Sequence, residues 1–211
     1  MTKFCSEAMP NVSLEAVSYT RKNPMCVFGC LMSDRGKEIK QEMLSWITTK
    51  YDVICVNQEY PGKLYEYPAL LFAKWYSEQS ATPVLYLHTK GAFNPSNVYG
   101  QAQVRRMWKE EFIDNYEWYQ GIVATDKLAV AAPFVSDAPW GVTWTNGFIA
   151  GPRAWKNAIV RPPAPPHGRL VYEFIFKDVE YNPYSRILSG VNHVEDCIFD
   201  RMKSYINTIQ V

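Results

Sequence analysis

Val84 to Leu87 is a short apolar run that stops at His88-Thr89-Lys90, and Gly91 follows at once. A run of this length rich in Val, Leu and Tyr reads as a buried strand, and the glycine ends it. In open α/β sheets, ligands collect at the carboxyl ends of strands. An imidazole, a hydroxyl and an ammonium there would supply hydrogen-bond donors and a positive charge. A solvated turn needs none of these. For His88 the competing reading is a core histidine bonded to a backbone carbonyl.

From Lys90 to Lys109 the chain carries Lys90, Arg105, Arg106 and Lys109 but no Asp or Glu. That is a local positive field beside the expected crevice. It suits a diphosphate, which charge-assisted hydrogen bonds would hold, with arginine offering a bidentate fork. Arg105, Arg106 and Lys109 equally fit a solvated helix face. Further on, Trp140 to Phe148 packs Trp140, Trp144, two threonines, Asn146 and two glycines together. Flat aromatic faces beside amides and hydroxyls suit a sugar ring, though a hydrophobic turn with tight glycines explains the composition too.

Among carboxylates, Glu195 falls on the inward stripe of a final helix with Ile198, Met202, Tyr205 and Ile209. It would serve there as catalytic base or metal ligand. Asn192-His193-Val194-Glu195 also fits a capping box, in which Glu195 only satisfies a backbone donor. His193 is a candidate metal ligand. Asp178-Val179-Glu180 offers oxygen ligands for a cation but reads as a polar turn. The chain has no Gly-Lys-Ser/Thr phosphate loop, no Gly-x-Ser-x-Gly, no His-Glu-x-x-His and no Asp-x-Asp.

These residues need a scaffold. Met25 to Leu31 predicts a first strand, closed by a turn at Ser33-Asp34-Arg35-Gly36. Lys37 to Thr49 has helical spacing through Ile39, Met43, Trp46 and Ile47. Asp52 to Val56 is a second strand, and Pro68 opens a helix with Leu71, Phe72 and Trp75 on its face. Val84 to Leu87 is the third strand. The β-α-β-α-β alternation predicts a parallel sheet with helices on both sides. A loop over Phe93 to Tyr99 precedes a helix through Val104, Trp108 and Phe112. Leu128 to Ala132 and Phe148 to Ala150 are further strands, and Gly151-Pro152 opens a helix through Trp155 and Ile159. Arg161 to Pro166 is a proline-rich loop. Leu170 to Phe176 is strand-like, and the last helix spans Val194 to Ile209.

The 211 residues suffice for one well-packed domain, with no repeat or composition shift to divide residues 1–211. A net charge of +1 argues against a dedicated nucleic-acid binder. No apolar stretch is long enough to cross a bilayer, and Met1 to Cys5 does not begin a signal peptide. The five cysteines are odd in number and lack framework spacing, so Cys26 and Cys30 read as small buried hydrophobes in a reducing, cytoplasmic compartment.

Tyr65-Glu66-Tyr67-Pro68, then Tyr86-Leu87-His88-Thr89-Lys90-Gly91, then Trp108, then Thr145-Asn146-Gly147-Phe148 fall in an order that resembles a family of glycosyltransferases. This is the GT-A type that builds polysaccharides, including rhamnan synthesis, and the likeness runs over roughly residues 25 to 200. The family's Asn-Phe-Trp-Trp run is Asn146-Gly147-Phe148-Ile149 here, a departure that bears on acceptor specificity. The resemblance implies a Rossmann-like, mixed but mostly parallel α/β sheet flanked by helices, with a nucleotide sugar at its strand ends. It also implies one domain of a larger protein. The third strand of that fold usually ends in Asp-x-Asp, which holds Mn²⁺ or Mg²⁺ on the diphosphate, and His88-Thr89-Lys90 stands in that place. A lysine there would neutralise the diphosphate directly and leave any metal to residues such as His193 or Glu195.

On that reading a sugar passes from a nucleoside diphosphate, most commonly UDP, to a growing glycan or glycoprotein. Donor binding would involve Ser33, Asn57, His88, Thr89, Lys90 and Gly91, with Arg105 or Arg106 assisting Lys90 at the leaving diphosphate. Asp137 and Glu195 are the candidate bases. Trp140, Trp144 and Asn146 would face the sugar. The rival readings are a non-catalytic carbohydrate-binding module and a nucleotide-binding scaffold.

Overall fold

Alternate residues of the central strands go to opposite faces of one sheet and build two separate cores. The structure is a computed structural model. It describes residues 9, 11–60, 64–92, 98–126, 129–133, 147–162, 175–176 and 187–188. The strands are β1 (Val12–Ser18), β2 (Met25–Leu31), β3 (Asp52–Gln58), β4 (Val84–His88), β5 (Val130–Ala131), β6 (Phe148–Ala150) and β7 (Ile187–Leu188). They form a seven-stranded sheet in the order β1-β3-β2-β4-β6-β5-β7.

The helices are α1 (Asp34–Ile47), α2 (Tyr67–Ser80), α3 (Val98–Lys109), α4 (Tyr116–Thr125) and α5 (Pro152–Asn157). Val27, Ile54, Val56, Val84, Tyr86 and Phe148 pack with Leu70 and Phe72 of α2 and Trp155 of α5. On the other face Cys26, Phe28, Val53, Cys55, Leu85 and Leu87 pack with Met43 and Ile47 of α1, Trp108 of α3 and Tyr119 of α4. The strands at the centre are buried on both sides, which is why they read as continuous apolar runs.

The expected alternation of strand and helix is present from β2 to β4, and its strands are parallel. The whole sheet is mixed rather than mostly parallel. β1–β3, β4–β6 and β5–β6 are antiparallel, against parallel pairing of β2–β3, β2–β4 and β5–β7. Some boundaries also differ from expectation. Ser33 does not sit in a turn but caps α1, its hydroxyl accepting from the Gly36 amide at 3.0 Å, so Gly36 lies within the first helical turn. Of the expected α2 face only Phe72 is fully buried, while Leu71 and Trp75 pack at its margin. The helix through Trp108 continues to Phe112 by widening into a π-turn at Glu110–Asp114. α5 stops at Asn157, short of Ile159. Ile175 and Phe176 form a turn instead of a strand end, while residues 170–174 and the final helix lie outside the described residues.

β1 and β3 are locked at one end by Asp52, whose side chain is almost wholly buried. It accepts hydrogen bonds from the Thr20 hydroxyl at 2.9 Å and the Arg21 amide at 2.6 Å. Burial alone would raise the Asp52 carboxyl. The bonds from Thr20, Arg21 and Asn23 outweigh it and hold the pKa below the ordinary 3.8. A depressed carboxyl contributes stability that is present above its unfolded pKa and is lost as pH falls through the folded one. Asp52→Asn is therefore expected to cost about 1–3 kcal/mol at pH 7. In paired denaturant melts the gap should close as pH drops below the ordinary carboxyl range, and a gap that stays constant with pH would refute the charge's role.

Candidate functional site

The strand order doubles back at β2, with β3 on one side and β4 on the other. The carboxyl ends of these three strands, Leu31, Gln58 and His88, therefore share one edge of the sheet. α1 also begins there. Such a reversal is where an open α/β sheet leaves a crevice.

Thr89 extends the β2–β4 pairing beyond the strand. Its amide donates to the Gly29 carbonyl at 2.9 Å, and its hydroxyl accepts from the Leu31 amide at 3.0 Å. The turn that follows needs Gly91, which has φ +96 and would drive a Cβ to within 2.8 Å of the Gln101 side chain. Ser33 joins this turn to α1, since its hydroxyl lies 3.5 Å from the Ala92 carbonyl it donates to. Lys90 is buried, and its carbonyl accepts from Arg105 Nη1 at 2.9 Å.

Arg105 is likewise buried. Its Nε and Nη2 donate to the Glu42 carboxylate of α1 at 3.0–3.2 Å. The guanidinium is thus occupied in tying α1, α3 and the turn together. Arg106 is exposed, and Lys109 pairs with Asp114 at 3.1 Å. The basic run expected as one field divides into a buried clamp, an exposed cation and a surface ion pair.

Asn57 faces α1. It accepts from Lys40 Nζ at 3.0 Å and donates to Glu15 Oε2 at 2.9 Å, while Lys40 and Glu15 pair at 2.5 Å. The bonds from Lys40 first and Asn57 second keep the Glu15 carboxyl below its usual range. Beneath them Cys26, Cys30 and Cys55 are buried free thiols. Burial pushes the Cys26 and Cys30 thiols well above the ordinary range, which leaves them neutral and unreactive. They fill the core as small hydrophobes.

The imidazole of His88 sits among aromatic rings, stacked on Tyr86 at 6.0 Å and edge-to-face with Trp108 at 5.3 Å. Its Nε2 lies 3.9 Å from Glu66 Oε1. Glu66 holds the N-cap position of α2, yet its side chain makes no capping bond. Instead its carboxylate is buried against the strand end. Two glycines make this gathering possible. Gly29, opposite His88 on β2, lets α2 approach so closely that a Cβ would meet Ala69 at 3.0 Å. Gly147 lies directly on the Trp108 indole, where a Cβ would be 2.3 Å from the ring.

Ser33, His88, Thr89, Lys90 and Gly91 thus gather at one edge and Arg105 braces it; Asn57, next to the end of β3, is bonded to Lys40 and Glu15, and Arg106 is exposed on α3. Asp137, Trp140, Trp144, Asn146, His193 and Glu195 lie outside the described residues. Glu66, which spacing alone did not single out, meets His88 at this edge. Its signal was a glutamate just ahead of a proline-led helix, where Ser, Thr, Asp or Asn would cap better. Among the described residues no three His, Cys, Asp or Glu side chains gather as a metal centre. No helix among them is long and apolar enough to cross a membrane. No protein-family model, curated protein or solved structure matches the chain.

Proposed function

We propose that the chain is a GT-A-type glycosyltransferase that moves a sugar from a nucleoside diphosphate, UDP foremost, to a growing glycan. The observation that carries this reading is the position of His88-Thr89-Lys90-Gly91. His88 ends β4 and the other three residues follow it, at the reversal of strand order and beside the capped start of α1. Helix starts and lysine ammonium groups both favour phosphate oxygens. The roles follow from charge. Lys90 offsets the negative charge that develops on the departing diphosphate, the largest electrostatic demand of the reaction. Asp137 and Glu195 remain the candidate bases, and Trp140, Trp144 and Asn146 the candidate sugar contacts.

The triplet itself supplies a cation where carboxylates would hold a metal, so it does not fit Mn²⁺ or Mg²⁺. A divalent ion would rely on His193 and Glu195. The resemblance extends to the N-terminal glycosyltransferase domain of a large chlorella-virus protein, a likeness that would make this a viral enzyme of the host cytoplasm.

Lys90→Ala is expected to weaken nucleotide-sugar binding by about 1–3 kcal/mol, the range for a lost charged hydrogen bond. Calorimetry with UDP and a panel of nucleotide sugars, beside a thermal melt of the same protein, checks this. Unchanged affinity in a folded variant removes Lys90 from the site. Nucleotide binding without any release of nucleoside diphosphate in the presence of glycans would instead mark a scaffold.

A further inference from the structure

We infer that Glu66 is the carboxylate that receives the sugar's hydroxyl groups, which makes the edge between α2 and β4 the sugar end of the site. This inference rests on the nucleotide-sugar reading above. The observations behind it are independent of Lys90. Glu66 is only 9% exposed, and its Oε2 is fully buried without a hydrogen-bond partner. A buried carboxylate oxygen with no donor is destabilising, and native structures rarely tolerate one without a use.

The backbone is strained to put it there. Tyr65, immediately before it, has φ +49, a left-handed conformation that a bulky residue seldom adopts. Strain of this kind gathers at ligand sites. Glu66 also forgoes the capping bond its position invites.

The chemistry of the surroundings selects the ligand. Gln58, the last residue of the neighbouring β3, is 7% exposed and likewise has a buried, unpartnered oxygen, Oε1. Two acceptors without donors at one sheet edge call for a ligand that brings O–H or N–H groups. Tyr60 and Tyr65, in the segment that leaves this edge, are 58% and 37% exposed. Exposed aromatic rings close along the chain to a carboxylate and an amide oxygen match a sugar, whose ring faces are apolar and whose rim is hydroxyl. A divalent cation would draw on the same oxygens but asks for six or more ligands and gains nothing from exposed tyrosines.

The test compares UDP and GDP with their glucose and rhamnose conjugates by calorimetry, using wild type, Glu66→Gln and Glu66→Ala. In wild type the sugar of the preferred donor should add at least about tenfold in affinity over the bare nucleotide, since it supplies several hydrogen bonds. Both variants should lose most of that increment while binding the bare diphosphate within about twofold. Thermal melts guard against misfolding, and Glu66→Gln preserves the side-chain volume should Glu66→Ala fail to fold. If the increment survives in folded variants, the role of Glu66 falls and the donor reading stands. If no nucleotide binds wild type, both fall. If the variants instead abolish a Mn²⁺-dependent gain in UDP affinity, Glu66 is a metal ligand and the sugar assignment is overturned.

Discussion

Gly36→Ala is expected to be among the most damaging single substitutions in this protein. A Cβ at position 36 would lie 1.7 Å from the Leu31 carbonyl oxygen and 2.9 Å from its carbon. Both are backbone atoms, so no side-chain rotation relieves the clash. β2 would have to separate from the first turn of α1, which would also disturb the Ser33 cap and the start of the candidate site. Overpacking costs typically reach about 1–3 kcal/mol. Here the obstacle is main chain, and the loss should reach or exceed the top of that range. Urea melts check this, and a variant within about 1 kcal/mol of wild type would mean that α1 starts elsewhere.

Trp108→Ala should be comparably severe. The indole is fully buried and joins α3 to the sheet by packing on Gly147 and against His88. Truncating a buried tryptophan costs about 3–5 kcal/mol through lost transfer energy and the cavity left behind. The imidazole would lose one of the rings that hold it, so on the proposed glycosyltransferase reading the release of nucleoside diphosphate from a nucleotide sugar should fall further than the unfolded fraction explains. Chemical denaturation and turnover measured on the folded fraction separate the two effects. A loss of about 1 kcal/mol or less would show that neighbouring side chains refill the space.

Short-range features of the fold were legible in the sequence wherever local pattern and tertiary packing agree. The runs Met25–Leu31, Asp52–Val56 and Val84–Leu87 read as strands because both faces are covered and their composition says so, while the polar ends Asn57, Gln58 and His88 extend two of them in the structure. Gly36 misled because glycine after Ser-Asp usually marks a turn. Its presence here answers the Leu31 carbonyl, which is near in space only once the helix has folded back. β1 carries only a weak sequence signal, because it is an edge strand with four of its seven residues exposed. α4 is weakly signalled as well, since its aromatic-rich segment opens without a side-chain cap.

The candidate site divides along the same line. His88, Thr89, Lys90 and Gly91 are consecutive, so one motif revealed them together. The Arg105–Glu42 contact spans 63 positions, and nothing local distinguishes that arginine from Arg106, its exposed neighbour. Glu66 and His88 likewise meet only because Gly29 admits α2 to the strand end. Spacing along the chain carries no trace of such encounters.

The clamp made by Arg105 also bears on the kinetics of capture. A loose loop must be ordered as a ligand lands, which lowers affinity and slows productive encounters. The turn through Lys90 and Ala92 is fastened in advance, by Arg105 on one side and Ser33 on the other. Its share of that entropy is lost during folding, when the whole chain orders cooperatively. On the proposed reading, association of a ligand at this edge would then be governed by diffusion and orientation rather than by rearrangement of this turn. Variation in affinity among ligands should therefore reside chiefly in how long each one stays.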